Sequence, residues 1–402
     1  MYGSPVLWSL PALRVAVRPD RQAAKSTSWL AAGALACARR YSVRAAVDFL
    51  VAKDDLHRCR FREEAAPEPE GGQTLLAVDA FGLSANNITY AIFGQAMSYW
   101  SFFPAEEGWG RVPVWGFAEV ADSRHDGLSV GTRVYGYLPP SAYLLVTPER
   151  VERHGFVDGS AHRAALPSAY NSYAQVEADP SYDAGHEDEQ MLLRPLFFTS
   201  YLLDDFLGDA GLLSAGAFLL SSASSKTASA LAFLLARRGE GEVIGLTSSR
   251  GAEFTRGLGV YDRVVDYEDI ASLPQRPAVY IDIAGDAGVR EAVHGHYGSE
   301  LAHSAVVGAT HHDKMAELPE SFAGPRPTFF FAPDRVRKRV SDWGRDGLER
   351  RIAEAWHPYV EWTAGWLEVI HGRGPEAVER AYLDLLDGRI DPAKAHVLSL
   401  AA

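Results

Sequence analysis

Cysteine is almost missing, with Cys37 and Cys59 the only two in 402 residues. Two thiols cannot build a disulfide framework or a four-cysteine zinc set, and the chain suits a reducing compartment, the cytoplasm. No run of about 18 apolar residues is present to span a bilayer, so a soluble protein with no membrane partner is expected. Positive charge is also in deficit, the formal net charge being −13. A nucleic-acid partner would require a basic face to displace counterions from phosphate, so none is expected.

The charge deficit is uneven. Residues 1–45 have a single acid, Asp20, against Arg14, Arg18, Arg21, Lys25, Arg39, Arg40 and Arg44. Such a start reads either as a targeting peptide with a short apolar core from Trp29 to Ala38, or as a poorly ordered extension outside the fold. The remainder is long enough for two cores, since single cores seldom grow beyond about 250 residues.

No long helical pattern competes in the next hundred residues. Short apolar runs at 46–51, 74–80, 112–120, 131–137 and 143–146 are punctuated by glycine and proline, including a turn-rich link over 65–72. That spacing predicts a small barrel-like β unit. Residues 171–190 hold Glu177, Asp179, Asp183, Glu187, Asp188 and Glu189 with few apolar anchors and read as a solvated insertion or linker.

The period then changes. Strands are predicted at 217–221, 243–246, 263–265, 278–283 and 302–307, with helices at 228–238, 252–258 and 289–297 between them. This alternation predicts a parallel, helix-covered sheet of the doubly wound α/β kind. The tail returns to mixed structure: a long helix over about 335–363, a strand at 367–370, a helix at 376–387 and a last strand at 395–400. The C-terminus is therefore expected to complete the first domain. The expected division is an extension over 1–45, a β-rich substrate domain over 46–190 and 335–402, and a Rossmann-like nucleotide domain over 191–334.

The stretch LLAVDAFGLSANNITYAIFG, Leu75 to Gly94, resembles the entry to the GroES-like domain of quinone-oxidoreductase-type medium-chain dehydrogenases/reductases. RVPVWGFAEVADSRHDGLSVGTRVYGY, Arg111 to Tyr137, resembles that superfamily's glycine-punctuated core. The motifs TSYLLDDFL, SSASSKTASALAFLL, GATHH and FFFAPDRVRKRVSDWG are together similar to a group within it, the domain of unknown function 2855. The resemblance runs over about residues 46–402. It implies a GroES-like β domain joined to a Rossmann half, with no stated reaction.

Glycine is lacking where such proteins place it to let backbone approach a pyrophosphate at a helix N-terminus. The turn reads Ser222-Ala223-Ser224-Ser225-Lys226-Thr227-Ala228. Glycines are expected at Ser222, Ser225, Lys226 and Ala228, and their replacement puts positive φ angles there in doubt. The hydroxyls of Ser222, Ser224, Ser225 and Thr227 with Lys226 can instead cradle an anion, or the serines can simply cap a helix. After the second strand of this half, Thr247-Ser248-Ser249-Arg250 lacks the acid that NAD users present to the ribose 2′-hydroxyl. Ser248, Ser249 and Arg250 suit a 2′-phosphate, so NADP(H) is the expected cofactor, although a surface turn can have the same composition. Gly285 and the Gly308-Ala309-Thr310 segment follow later strands, at ends where ligands of open α/β sheets collect.

Zinc-dependent relatives carry a Cys/His/Glu set, but neither cysteine here falls in a matching segment and Phe117 follows Gly116 where a histidine is usual. No catalytic zinc is expected. His311, His312 and Asp313 could be imagined as a metal pair, but adjacent histidines point apart. Tyr90 lies where zinc-free relatives present polar groups to substrate; its phenol can donate to a carbonyl or protonate an enolate, or it can be an ordinary packed tyrosine. Asn87 could orient the same oxygen. Asp204 and Asp205 are read as opening an interdomain helix. Phe329, Phe330 and Phe331 either line an apolar pocket or pack in the core.

The leading expectation is an NADP(H)-dependent, zinc-independent oxidoreductase acting on an enone, quinone or carbonyl-type small molecule. A non-redox enzyme with altered cofactor binding, and a non-catalytic binding protein, are the alternatives. A homodimer through edge strands is expected, the apolar run at 302–307 permitting it.

Overall fold

The computed structural model describes residues 45–307 and 323–401. The basic extension, Cys37, Gly308, Thr310 and the His311-His312-Asp313 segment lie outside the described residues.

The β-rich half begins with β1 (Ala45–Ala52) and β2 (Cys59–Ala65), an antiparallel hairpin that places Phe49 opposite Phe61. The second strand was not anticipated. It is charged and largely exposed, with the sequence CRFREEA, so it offers no alternating apolar face to read. A short β4 (Trp109–Gly110) borders β1 on its other side.

The large sheet is built from β3 (Thr74–Leu83), β5 (Val114–Ser123), β6 (Arg133–Leu138), β7 (Tyr143–Val146), β8 (Pro148–Glu152), β9 (Gly155–Asp158) and β10 (Ser172–Gln175). Two strands from the tail, β17 (Glu368–Arg373) and β18 (Lys394–Ser399), extend it through β18 against β3. The order is β17-β18-β3-β5-β6-β10-β9-β8, with β7 pairing β3 off that path. Helix α1 (Ala85–Ile92) leaves β3 immediately, started by Ser84 in an extended conformation.

Residues 171–190 are not a solvated linker. Residues Ser172–Gln175 pair into the sheet, and Glu187 starts α2 (Glu187–Asp209). The acids have partners: Asp179 accepts from Arg194 Nη2 at 3.0 Å, and Glu187 takes both a 2.8 Å and a 2.7 Å bond from Arg133. Glu187, Asp188 and Glu189 occupy the first turn, where the helix dipole favours negative charge. Asp204 and Asp205 consequently sit near the end of α2 and do not open it. Asp204 holds Arg238 at 2.6 and 2.8 Å, while Asp205 accepts from Arg335 and Arg339. Burial pushes the Asp204 carboxyl above the usual range despite the Arg238 guanidinium beside it.

The parallel half follows: β11 (Ala217–Leu220), α3 (Lys226–Arg238), β12 (Glu242–Thr247), α4 (Ser249–Gly257), β13 (Arg263–Asp266), β14 (Ala278–Asp282), α5 (Ala287–Tyr297), β15 (Leu301–Val306) and β16 (Thr328–Phe329). Strand order is β13-β12-β11-β14-β15-β16, every pair parallel. The strands read as unbroken apolar runs because both faces are covered. Phe218 and Leu220 pack with Leu203 and Leu207 of α2 and Leu231 and Leu235 of α3; Ala217 and Leu219 pack with Val289, Val293 and Tyr297 of α5.

The tail adds α6 (Ala332–Thr363) and α7 (Pro375–Leu386). Gly344, at φ 72° and ψ 167°, breaks α6 into two pieces, a conformation that L side chains resist. An apolar cluster containing Phe117, Tyr135, Phe197, Phe233, Trp356, Tyr359 and Val397 joins α2, α3 and α6 to the large sheet. Helices α2 and α3, which also cover the parallel sheet, thus link it to the large one. Strand β15 is not the outer strand of the parallel sheet, since β16 borders it at Ala305 and Val306. Of the three phenylalanines, Phe330 packs on Phe206 and Phe331 is 46% exposed, so the trio does not form a single lining surface.

Among the described residues no helix is long and apolar enough to cross a membrane.

Candidate functional site

Ligands of an open α/β sheet collect where strand order reverses, outside the carboxyl ends of the strands. Here that point lies between β11 and β14, the two central neighbours.

Ser222 keeps the conformation of the glycine it replaces, with φ at +53°. Two bonds hold it there. Its N–H donates to the Tyr267 hydroxyl at 3.0 Å, and its carbonyl accepts from Ser225 N–H at 2.8 Å. Ser225 caps α3, its hydroxyl accepting from Ala228 N–H at 3.2 Å. Ser224 faces the next turn: a methyl group added at Gly251 would stand 2.6 Å from the Thr247 hydroxyl oxygen and 3.1 Å from that of Ser224. The carbonyl of Thr227 accepts from the Ser200 hydroxyl of α2 at 2.8 Å.

Lys226 is engaged by the chain leading into β18. Its Nζ donates to the carbonyls of Pro392 at 3.1 Å and Lys394 at 3.2 Å, and burial pulls its pKa down to about 8. Ser248, Ser249 and Arg250 are exposed at the start of α4, and Ser248 makes no side-chain capping bond. The Arg250 guanidinium donates to the Gly388 carbonyl at 3.2 Å.

At the end of β14, Asp282 is fully buried. It accepts from the Ser221 hydroxyl at 3.0 Å, from Gly285 N–H at 2.9 Å and from Arg290 Nε at 2.8 Å. The Ser221 oxygen in turn accepts from the N–H groups of Ile283 and Ala284, at 2.9 and 3.0 Å. Gly285, itself exposed, is thus tied to the buried Ser221–Asp282 pair, which fixes the β14–α5 turn. Tyr267, Ser221, Asp282 and Arg290 were not anticipated. Asp282 carried a signal, a single carboxylate ending an apolar strand run.

Tyr90 sits on α1 and is 6% exposed. Its oxygen accepts from Asn86 Nδ2 at 2.8 Å and lies 3.5 Å from the Trp115 Nε1 donor. Burial pushes the phenol up to about 12. Around it stand Tyr99, with ring centroids 4.6 Å apart, and Tyr137 at 5.6 Å, and Tyr137 packs on Tyr170 at 4.7 Å with the rings tilted by 41°. Trp115 and Tyr170 are half-buried and form the outer edge of this group. Asn87 is occupied otherwise: its Oδ1 accepts from Ser84 N–H at 2.8 Å and its Nδ2 donates to the Pro113 carbonyl at 2.9 Å. Those bonds cap α1 and pin it to Pro113, just before β5, whereas Asn86, its neighbour, reaches Tyr90.

Phe117 is fully buried beneath the Arg133 guanidinium, 5.0 Å from its ring. Among the described residues the only group of three with metal-ligand spacing is His154, Asp346 and Glu349. There the His154 ring nitrogens lie 3.5 Å from Asp346 and 3.6 Å from Glu349, joining the β8–β9 turn to α6.

A β-rich half whose sheet is completed by the C-terminal strands, joined to a six-stranded parallel sheet of this order, is the fold of the medium-chain dehydrogenase/reductase superfamily. The solved structures similar to it agree. CurA of Vibrio vulnificus in complex with NADPH superposes with a TM-score of 0.57 at 15% identity, over 89% of this chain and 99% of that one. The quinone oxidoreductase of Coxiella burnetii does so at 0.52 and 12%, over 89% and 100%. The human synaptic vesicle membrane protein VAT-1 homolog-like protein does so at 0.52 and 15%, over 90% and 99%. Within that fold, the chain belongs to the family described as protein of unknown function (DUF2855), whose profile matches residues 81–391. No curated protein matches the sequence.

Proposed function

We propose that this chain is an NADP(H)-dependent, zinc-independent reductase whose substrate is a flat enone, quinone or carbonyl compound. The observation that carries the reading is the pairing of a glycine-like Ser222 turn at the switch point with an exposed, acid-free Ser248-Ser249-Arg250 start to α4. The turn leaves the N-terminus of α3 open to an anion. Ser248, Ser249 and Arg250 would hold the 2′-phosphate, a group that a carboxylate in their place would repel.

When bound, the nicotinamide supplies the hydride. The protein's contribution is orientation and a proton-bearing donor. With Asn86 donating to the Tyr90 oxygen and Trp115 close by, the phenol hydrogen remains free to bond a substrate oxygen and stabilise charge developing there. A pKa near 12 keeps that hydrogen in place at neutral pH. The aromatic rings of Tyr99, Trp115, Tyr137 and Tyr170 suit a flat, apolar partner and exclude water. That CurA binds NADPH supports the reading.

A titration of the purified protein with NADPH and NADH, followed by nicotinamide fluorescence, tests it. NADPH preferred over NADH, with the preference reduced in Arg250→Ala, is the expected result. Equal or absent binding of both overturns it. The commitment of Lys226 to backbone carbonyls favours a second reading, a non-redox enzyme on the same scaffold, and absent binding would select it.

A further inference from the structure

Two cations, one at the start of α3 and one at the start of α4, reach the same segment of chain. Residues 387–393 connect α7 to β18, and they carry no regular secondary structure. Arg250, at the start of α4, donates to the carbonyl of Gly388; Lys226, at the start of α3, donates to those of Pro392 and Lys394. The segment therefore runs from the N-terminus of one helix to that of the other. Those helices start after the carboxyl ends of β12 and β11, where the phosphates of a dinucleotide gather.

Arg250 and Lys226 differ in how they hold it. Arg250 is exposed and makes one bond, so it can exchange the Gly388 carbonyl for a phosphate at little cost. Lys226 makes two bonds from a half-buried position, and its removal would leave the carbonyls of Pro392 and Lys394 without this donor. The segment is further shaped by Asp391, whose side chain accepts from Ala393 N–H at 2.9 Å and whose carbonyl accepts from Lys394 N–H at 2.8 Å.

We propose that Lys226 is a clasp and not a phosphate ligand: it fixes residues 388–394 as a preformed wall of the nucleotide crevice. A lysine where glycine is the expected residue thus acts as a positioning residue. It lowers the ordering that binding would otherwise demand, which is how preorganisation improves affinity. The bearing on cofactor rests on the NADP(H) reading above; the clasp itself does not.

Amide hydrogen exchange of the full chain without cofactor separates the two roles. In Lys226→Met, exchange in residues 388–394 should rise about tenfold or more, while Lys226→Arg, which keeps the donors, should stay near wild type. The dependence of NADPH binding on salt should be as steep in Lys226→Met as in wild type, with a weaker Kd. Unchanged exchange in Lys226→Met overturns the clasp, as does a shallower salt dependence, the mark of a lost phosphate contact. If wild type binds no NADPH, the reductase reading fails and the exchange comparison alone decides the clasp. If Lys226→Met does not fold, Lys226→Ala, which also lacks the donors, takes its place under the same criteria.

Discussion

The Ser221 hydroxyl, at the end of β11, donates to the Asp282 carboxylate at the end of β14 across 3.0 Å, and the same oxygen receives two backbone N–H groups. This bond ties the two central strands at the point where their order reverses. Its other anchor is Arg290, paired to Asp282 at 2.8 Å with the carboxylate fully buried. Removing one partner of such a pair leaves an uncompensated charge. Arg290→Leu should lower unfolding free energy by about 3–5 kcal/mol, measured by urea denaturation. A loss below about 1 kcal/mol would show that water or another group replaces the guanidinium.

Ser222 sits at φ +53° without the freedom of glycine. A left-handed conformation costs an L residue roughly 1–2 kcal/mol, and Gly recovers part of it after its greater unfolded-state entropy is counted. Ser222→Gly should therefore raise stability by about 0.5–1 kcal/mol. It should leave NADPH affinity intact, because the backbone N–H to Tyr267 remains. A thermal midpoint that falls would mean the serine hydroxyl has a role beyond its backbone.

The parallel half was legible because its strands are covered on both faces, and Ala217–Leu220 and Ala278–Ile281 consequently read as continuous apolar runs. Helix α2 was not. Its acidic first turn looks like a linker, Pro195 lies inside it, and its aspartates at 204 and 205 mimic a start signal although they pair with arginines distant in sequence. The same distinction holds at the site. The glycine-to-serine and acid-to-arginine changes in the two turns were visible as letters. The partners of Lys226 and Arg250 were not, because they are backbone carbonyls more than 130 residues away, and any residue type can supply a carbonyl. Asn86 and Asn87 show how fine the limit is: adjacent amides, one bonded to Tyr90 and one capping α1.

Tyr90 offers the direct test of chemistry. Tyr90→Phe removes the donor and leaves the ring packed against Tyr99 and Tyr137, so the fold should hold within about 1 kcal/mol. On any enone or quinone that the wild type reduces, kcat should drop by 10²–10⁴-fold, the order typical of a positioned proton donor, with NADPH affinity unchanged. A variant retaining full kcat would remove Tyr90 from the mechanism and leave it a packed core tyrosine.

Lys226 makes stability depend on pH in a defined direction. Burial lowers its pKa from the usual 10.5 to about 8, with Asp391 pulling the other way. Between those values the unfolded chain holds a proton that the folded chain has released, so the folded state gains as pH rises through pH 8 to 10.5. Below pH 8 the full penalty of burying the ammonium is present. Above 10.5 it has gone. The difference in urea unfolding free energy between wild type and Lys226→Met should accordingly grow from pH 7.5 to pH 10 in favour of wild type. The neutral amine still has two N–H groups for the carbonyls of Pro392 and Lys394, so residues 388–394 should remain protected in wild type at pH 10 once intrinsic exchange rates are corrected. A difference that stays flat across this range would show that Lys226 is hydrated and charged like a surface lysine, and a loss of protection at pH 10 would show that the clasp needs the charge and not only the donors.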